Sequence, residues 1–147
     1  MLAKNKYRIV GSFGNMNKGR AVSIPEGLLE AILEAAKRLY PREVILLLKG
    51  KKAGDKVVVS DLLVPPLATY GHGFSSMRTH MLPIDFSIVG TVHSHPSGNL
   101  TPSPADFNHQ FGSILVIVAY PFRDESNLAA YNRAAEKLSV EIVRTEI

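Results

Sequence analysis

FSIVGTVHSHPSGNLTPSPAD, residues 86–106, runs from an apolar strand pattern through a histidine pair and a turn into a helix start. Phe86 to Val92 (FSIVGTV) reads as a buried strand that delivers His93 and His95. Side chains two apart on a strand leave from the same face, with bases roughly 6.5–7 Å apart. Two imidazoles so placed can converge on one ion at the about 2.0–2.1 Å that zinc prefers. Ser94 points to the other face and reads as packing rather than as a nucleophile. After an intervening loop, Ser103-Pro104-Ala105-Asp106 has the signature of a helix start, with Ser103 as N-cap and Pro104 as the first helical residue. A loop that folds back presents Asp106 as a third ligand. Two histidines and one carboxylate leave a coordination position open, which is the catalytic arrangement rather than the structural one. Each piece alone has a plainer reading: Ser-Pro-Ala-Asp is an ordinary helix cap, and Pro96-Ser97-Gly98 an ordinary turn. The combination carries the signal.

Outward from this stretch the chain alternates between strand and helix patterns. Lys6–Val10 and Arg20–Ile24 are short extended segments around the turn-rich GSFGNMNKG. Pro25 opens the clearest helix, PEGLLEAILEAAKRLY, as a first helical residue. Leu28, Ile32, Ala35 and Leu39 form its apolar stripe, with Leu29, Leu33 and Ala36 beside it. Glu26, Glu30, Glu34 and Arg38 form a solvated face. Pro41 stops the helix, and Glu43 to Leu48 reads as a buried strand. Residues 50–56 (GKKAGDK) read as a turn into a strand over Val57–Val64. A long connection, PPLATYGHGFSSMRTH, follows; its His72 is the residue expected in a flap over a substrate. His80 and His109 read as surface or internally satisfied histidines. Ile114–Tyr120 is another buried strand, and Leu128–Asn132 with Val140–Glu146 complete the sheet. The fold class is α/β: a mixed, twisted sheet flanked by about two helices. The whole chain, residues 1–147, reads as one domain, with residues 1–20 as an N-terminal extension or extra strand.

The composition narrows the chemistry. The chain has 147 residues and no cysteine, which excludes disulfides, thiolate zinc sites, iron–sulfur clusters and cysteine-protease mechanisms. Any metal must be held by histidine and carboxylate. Nor does a Gly-x-Ser-x-Gly elbow occur. The first ten residues lack the apolar core of a signal peptide, and no apolar run approaches the roughly 20 residues of a membrane helix. A cytoplasmic protein with no membrane association is expected. The net charge of +4 permits an acidic partner. Lys49, Lys51 and Lys52 are clustered but lack interleaved aromatics, so a solvated turn is preferred over a nucleic-acid surface.

Residues 93–106 resemble the JAMM (MPN-plus) metalloprotease motif: His-x-His, seven residues, Ser, two residues, Asp. His93, His95, Ser103 and Asp106 match it at every spacing. The order Ala21-Val-Ser-Ile-Pro25, helix, Pro41-Arg-Glu43, apolar strand and Gly50 is similar to the family's opening segment. In that segment a glutamate begins the strand. The likeness covers about residues 20–120. Members often carry a glycine three residues after that glutamate, where this chain has Leu46; the departure concerns packing along the strand and leaves the ligands untouched.

The resemblance implies the compact JAMM/MPN architecture, which is cytidine-deaminase-like. It implies zinc (Zn2+) held by His93, His95 and Asp106, with Glu43 moving protons between water and the leaving amine. The residues alone offer Glu43, Asp61 and Asp85 as carboxylates beside buried strands; only the resemblance selects Glu43. Ser103 would donate a hydrogen bond to the tetrahedral oxyanion, a role that competes with capping the helix. The implied activity is a zinc isopeptidase or peptidase that cuts after the Gly-Gly tail of a ubiquitin-like (SAMP-type) modifier. Its partners would be such a modifier or its lysine conjugates. Small stand-alone members of this kind resemble prokaryotic, especially archaeal, enzymes. Alternatives are trimming of a sulfur-carrier precursor and a metal-free MPN interaction scaffold. A homodimer is compatible with either.

Overall fold

The computed structural model describes residues 7–10, 21–65, 87–108 and 110–145. His72, His80, Asp85, Phe86 and His109 lie outside them. Eight strands form one sheet: β1 (Tyr7–Val10), β2 (Ala21–Pro25), β3 (Ile45–Ala53), β4 (Lys56–Leu63), β5 (Ile88–His95), β6 (Ile114–Ala119), β7 (Leu128–Asn132) and β8 (Lys137–Thr145). Helix α1 (Glu26–Leu39) follows β2, and the short α2 (Pro104–Asn108) lies between β5 and β6. The spatial order is β1-β8-β2-β4-β3-β5-β6-β7, with β8 also pairing with β7. Leu138 and Lys137 meet Ala130 and Tyr131, while Ser139–Val143 run parallel to β2. The circuit of pairings therefore closes through β8. Parallel β2–β4, β2–β8 and β5–β6 pairs stand among antiparallel ones, so the sheet is mixed as expected.

Helix α1 lies on one face and buries Leu29, Ile32, Leu33 and Ala36, with Leu28, Ala35 and Leu39 at the margins. These side chains join Val22, Ile24, Val44, Leu46, Leu48, Val92, Val116 and Ile142 in the main core. The glutamate series faces solvent, where Arg38 and Glu34 pair one turn apart. A second, smaller cluster covers the other face: Leu115, Ile117, Ala129 and Tyr131 take Leu100 and Phe107 against them. Burying such side chains contributes about 1.5–3 kcal/mol each when complete. This packing is what docks α2 and its approach loop onto β6 and β7.

Several boundaries depart from the sequence expectation for identifiable reasons. Pro25 is the last residue of β2 and the N-cap of α1, with ψ 143° in the extended region, so the helix begins at Glu26. Strand β3 starts at Ile45, because the Val44 N–H is taken by a side chain described below. It continues through Gly50, Lys51 and Lys52 to Ala53, so the turn expected at residues 50–56 shrinks to Gly54-Asp55. The register shifts between Lys49 and Gly50, and a Cβ at Gly50 would stand 2.0 Å from the Val58 carbonyl oxygen. Glycine is thus what lets β3 run on through the irregularity. Strand β5 extends past Val92 through both histidines, and β8 begins at Lys137.

Candidate metal centre

Strand β5 is gripped on both sides, by β3 in antiparallel register and by β6 in parallel register. Its alternation puts His93 and His95 on one face. His93 is 3% exposed and Asp106 6%. Asp106 reaches them from α2 and bridges the pair: its Oδ1 lies 3.1 Å from His93 Nδ1 and its Oδ2 3.2 Å from His95 Nε2. Burial alone would push the Asp106 carboxyl up. Hydrogen bonds from His93, His95 and the Ser103 N–H outweigh it and hold the group well below the usual carboxylate range. His95 is raised, first by its hydrogen bond with Asp106, against the opposing effect of burial.

The backbone around the cluster orients it. His95 Nδ1 lies 2.7 Å from the Asn99 carbonyl oxygen, which can only accept, so Nδ1 carries a proton; Nε2, which donates to Asp106 here, is the nitrogen that would face a metal on losing its own proton. The Tyr131 hydroxyl donates to the Leu100 carbonyl at 2.9 Å and ties the same loop to β7. At the head of α2, the Ser103 N–H donates to Asp106 Oδ2 at 2.8 Å, and the Asp106 N–H donates to Ser103 Oγ at 3.3 Å. Ser103 therefore caps the helix as an acceptor. A hydroxyl has one donor as well as two acceptor sites. The cap uses an acceptor site of the Ser103 Oγ and not its O–H.

Glu43 lies two residues before β3, at the end of the strand where Ile45 pairs with His93. Continuing the register past Ile45 opposite His93 sets Val44 against Ser94 and Glu43 against His95. Glu43 is half-buried, and its charge contributes to the raised pKa of His95. Ser94 is fully buried; its Oγ accepts from the Val44 N–H at 2.7 Å, and its own N–H donates to the Val44 carbonyl at 3.1 Å. Sequence reasoning placed Ser94 on the correct face and missed this clamp, which its position between the two ligands and opposite β3 could have signalled. Asp61 is exposed on β4 opposite Lys49, with Oδ1 accepting from the Leu62 N–H, and it is not brought to the cluster.

Beside His95 stand two exposed aromatic rings. The His95 carbonyl accepts from the N–H groups of Tyr120 and Gly98. The Tyr120 ring stacks on Tyr40 with centroids 4.8 Å apart, and both pack edgewise on buried Phe122. Tyr40 and Tyr120 are 45% and 48% exposed, three residues before Glu43 and directly after β6.

Among the described residues, no three His, Asp or Glu side chains surround an ion-sized point; here two donors are hydrogen-bonded to the third. The chemistry of the donor set nevertheless fits zinc. It comprises two imidazoles and one carboxylate kept ionised, with the tautomer of His95 set by a backbone carbonyl. The separations of 3.1 and 3.2 Å are near the roughly 3.3 Å between donors on a tetrahedral zinc.

Residues 25–135 match the family of prokaryotic homologs of the JAB domain. A probable metalloprotease of Haloferax volcanii is 31% identical over 134 residues, spanning 86% of this chain and 82% of that protein. A JAB1/MPN domain protein from Archaeoglobus fulgidus is 39% identical over 80% of this chain and 97% of its own, with a TM-score of 0.57. A structure described as a JAMM metalloprotease-like zinc site in the proteasome and signalosome is 37% identical. It covers 84% of this chain and 98% of its own, with a TM-score of 0.57.

Proposed function

The chain belongs to the prokaryotic JAB-domain family, and from that premise we propose that it is a zinc-dependent peptidase of the JAMM type. Its substrate class is an isopeptide or peptide bond after the Gly-Gly tail of a ubiquitin-like modifier. The observation that carries the reading is the bridge of Asp106 between His93 and His95, with Glu43 near enough for its charge to act on His95. A scissile amide needs an activated water, a proton carrier and an oxyanion donor; Glu43 and Ser103 would serve as the last two, and the metal held by His93, His95 and Asp106 would provide the first.

His93, His95 and Asp106 would hold the ion. Zinc, when bound, supplies Lewis-acid charge that makes a water acidic near neutral pH and polarises the scissile carbonyl. Glu43 takes a proton from the attacking water and returns it to the leaving amine, since an amine leaves only when protonated. The Ser103 O–H, left unused by its capping bond, donates to the oxyanion as the carbonyl carbon becomes tetrahedral. The Asn99 carbonyl keeps His95 in the tautomer that offers Nε2. Collapse of the tetrahedral carbon breaks the C–N bond, releasing the Gly-Gly carboxylate and the amine.

The test is elemental analysis of the purified chain followed by hydrolysis of a fluorogenic Gly-Gly isopeptide, with and without chelator. About one zinc per chain and chelator-sensitive cleavage are expected. A chain that takes up no zinc on reconstitution and cleaves nothing would instead be an interaction scaffold. Cleavage of Gly-Gly precursor peptides but not of lysine conjugates would assign it to processing of a sulfur carrier.

A further inference from the structure

The far end of the sheet holds an open cavity of about 540 Å³, lined by Lys51, Lys52, Arg133 and Ser113 over a floor that includes Val89 and Gly112. It is remote from the candidate metal centre: Ile88, which also borders it, stands at the opposite end of β5 from His95. Seven strand rises of about 3.3 Å separate the two residues by roughly 23 Å. Lys51 and Lys52 are exposed, as expected, but lie on β3 rather than in a turn, where they pair in register with Val58 and Val57. They face an Arg133 carried between β7 and β8.

Three properties point to a ligand. The charge is of one sign: three cations line the cavity, and among the described residues no Asp or Glu lines it. The walls are rigid. Gly112 has φ +79°, and a Cβ there would stand 2.2 Å from the Val89 carbonyl carbon, so two backbones are in direct contact. The Ser113 N–H donates to the Val89 carbonyl at 2.8 Å and locks that contact. Finally, Ser113, one of the lining residues, has a buried Oγ with no hydrogen-bond partner. A buried hydroxyl without a partner is costly unless something accepts from it.

We infer that this cavity is a binding site for a small phosphorylated molecule, whose phosphate is held by Lys51, Lys52 and Arg133 and accepts from the Ser113 hydroxyl once that side chain turns out of its buried position. Phosphate suits the set because it offers several acceptor oxygens and matches the planar fork of an arginine. The volume exceeds that of a bare phosphate and lies in the range of small-ligand pockets, leaving room over Ile88 and Val89 for an apolar or sugar portion.

The test is titration of the ¹⁵N-labelled full chain with inorganic phosphate and with AMP at low ionic strength, following backbone amide shifts. Saturable shifts at Lys51, Gly112 and Ser113 are expected. Affinity should fall about tenfold in Arg133→Gln and in the Lys51→Gln/Lys52→Gln pair, and stay unchanged in Lys37→Gln, an exposed cation on α1. Ser113→Ala should weaken binding without lowering the denaturation midpoint of the ligand-free chain, because its hydroxyl has no bond to lose. Tighter binding of AMP would identify a phosphorylated organic molecule, and equal affinities the free anion; both support the site. Shifts confined to amides around His95 and Gly98, equal loss in Lys37→Gln, or binding of an oligonucleotide without phosphate or AMP would each overturn it.

Discussion

The hydroxyl of Ser94 accepts a 2.7 Å hydrogen bond from the N–H of Val44, fifty residues earlier in the chain. Ser94 separates the two histidines in sequence, and Val44 directly follows Glu43. One buried contact therefore sets the spacing between the proposed proton carrier and the proposed ligands. Ser94→Ala leaves the Val44 N–H buried without a partner, a loss of about 1–3 kcal/mol in denaturant unfolding. Zinc content should persist while kcat falls, because the ligands remain and the approach of Glu43 loosens. Unchanged kcat in a variant of lowered stability would reduce Ser94 to a packing residue.

Glu43→Gln keeps the shape of the side chain but cannot take a proton. The variant should bind zinc normally and cleave about 10²–10⁴ times more slowly. His95→Ala should lose zinc and cleavage together, which elemental analysis and a turnover assay separate. A wild-type rate in Glu43→Gln would assign the proton transfer to another carboxylate.

Ser103→Ala removes both functions of one hydroxyl. Losing the cap costs about 0.5–2 kcal/mol, whereas losing an oxyanion donor costs about 10²–10³ in kcat. Ser103→Asn restores a capping side chain. If it recovers stability but not kcat, the oxyanion role stands; recovery of both would make the residue a cap alone.

Tyr131→Phe deletes the hydroxyl that holds the Leu100 carbonyl and spares the ring packed against Leu115 and Ile117. The cost in stability should be about 0.5–1.5 kcal/mol. Its more telling effect is on metal affinity, since Asn99 on the same loop sets the tautomer of His95. Competition with a chromogenic chelator should show weaker zinc binding, with kcat at saturating zinc little changed.

Removing zinc with a chelator should lower the thermal midpoint as well as activity. A ligand that binds only the folded chain stabilises it by about 2.7 kcal/mol at one hundred times its dissociation constant. Calorimetry of the wild type and His95→Ala, each with and without chelator, checks this: only the wild type should shift.

Much of this architecture could be read from the sequence. The mixed sheet, the two helices and β7 at Leu128–Asn132 followed from apolar runs and from Pro and Gly punctuation. The His-x-His spacing placed both imidazoles on one face because strand alternation is purely local. What escaped the sequence was set by distant pairing. The continuation of β3 through Gly50 depends on the backbone of β4, and the Val44–Ser94 clamp depends on the register of β3 against β5. Lys51 and Lys52 are exposed, as their charge suggested, but their strand setting and the nearness of Arg133 and Ser113 come only from pairing in three dimensions.

Strands β5 and β6 run parallel, so the chain between them must cross over, and α2 with Asp106 sits on that crossover. An ion shared by His93, His95 and Asp106 would pin the crossover back onto the strand it has just left. Because the three ligands come together only in the folded chain, the free energy of binding the ion would add directly to the free energy of folding. In a chain without a single cysteine, the metal would serve as the staple that disulfides provide elsewhere, and the reaction centre would double as a fastener of the fold.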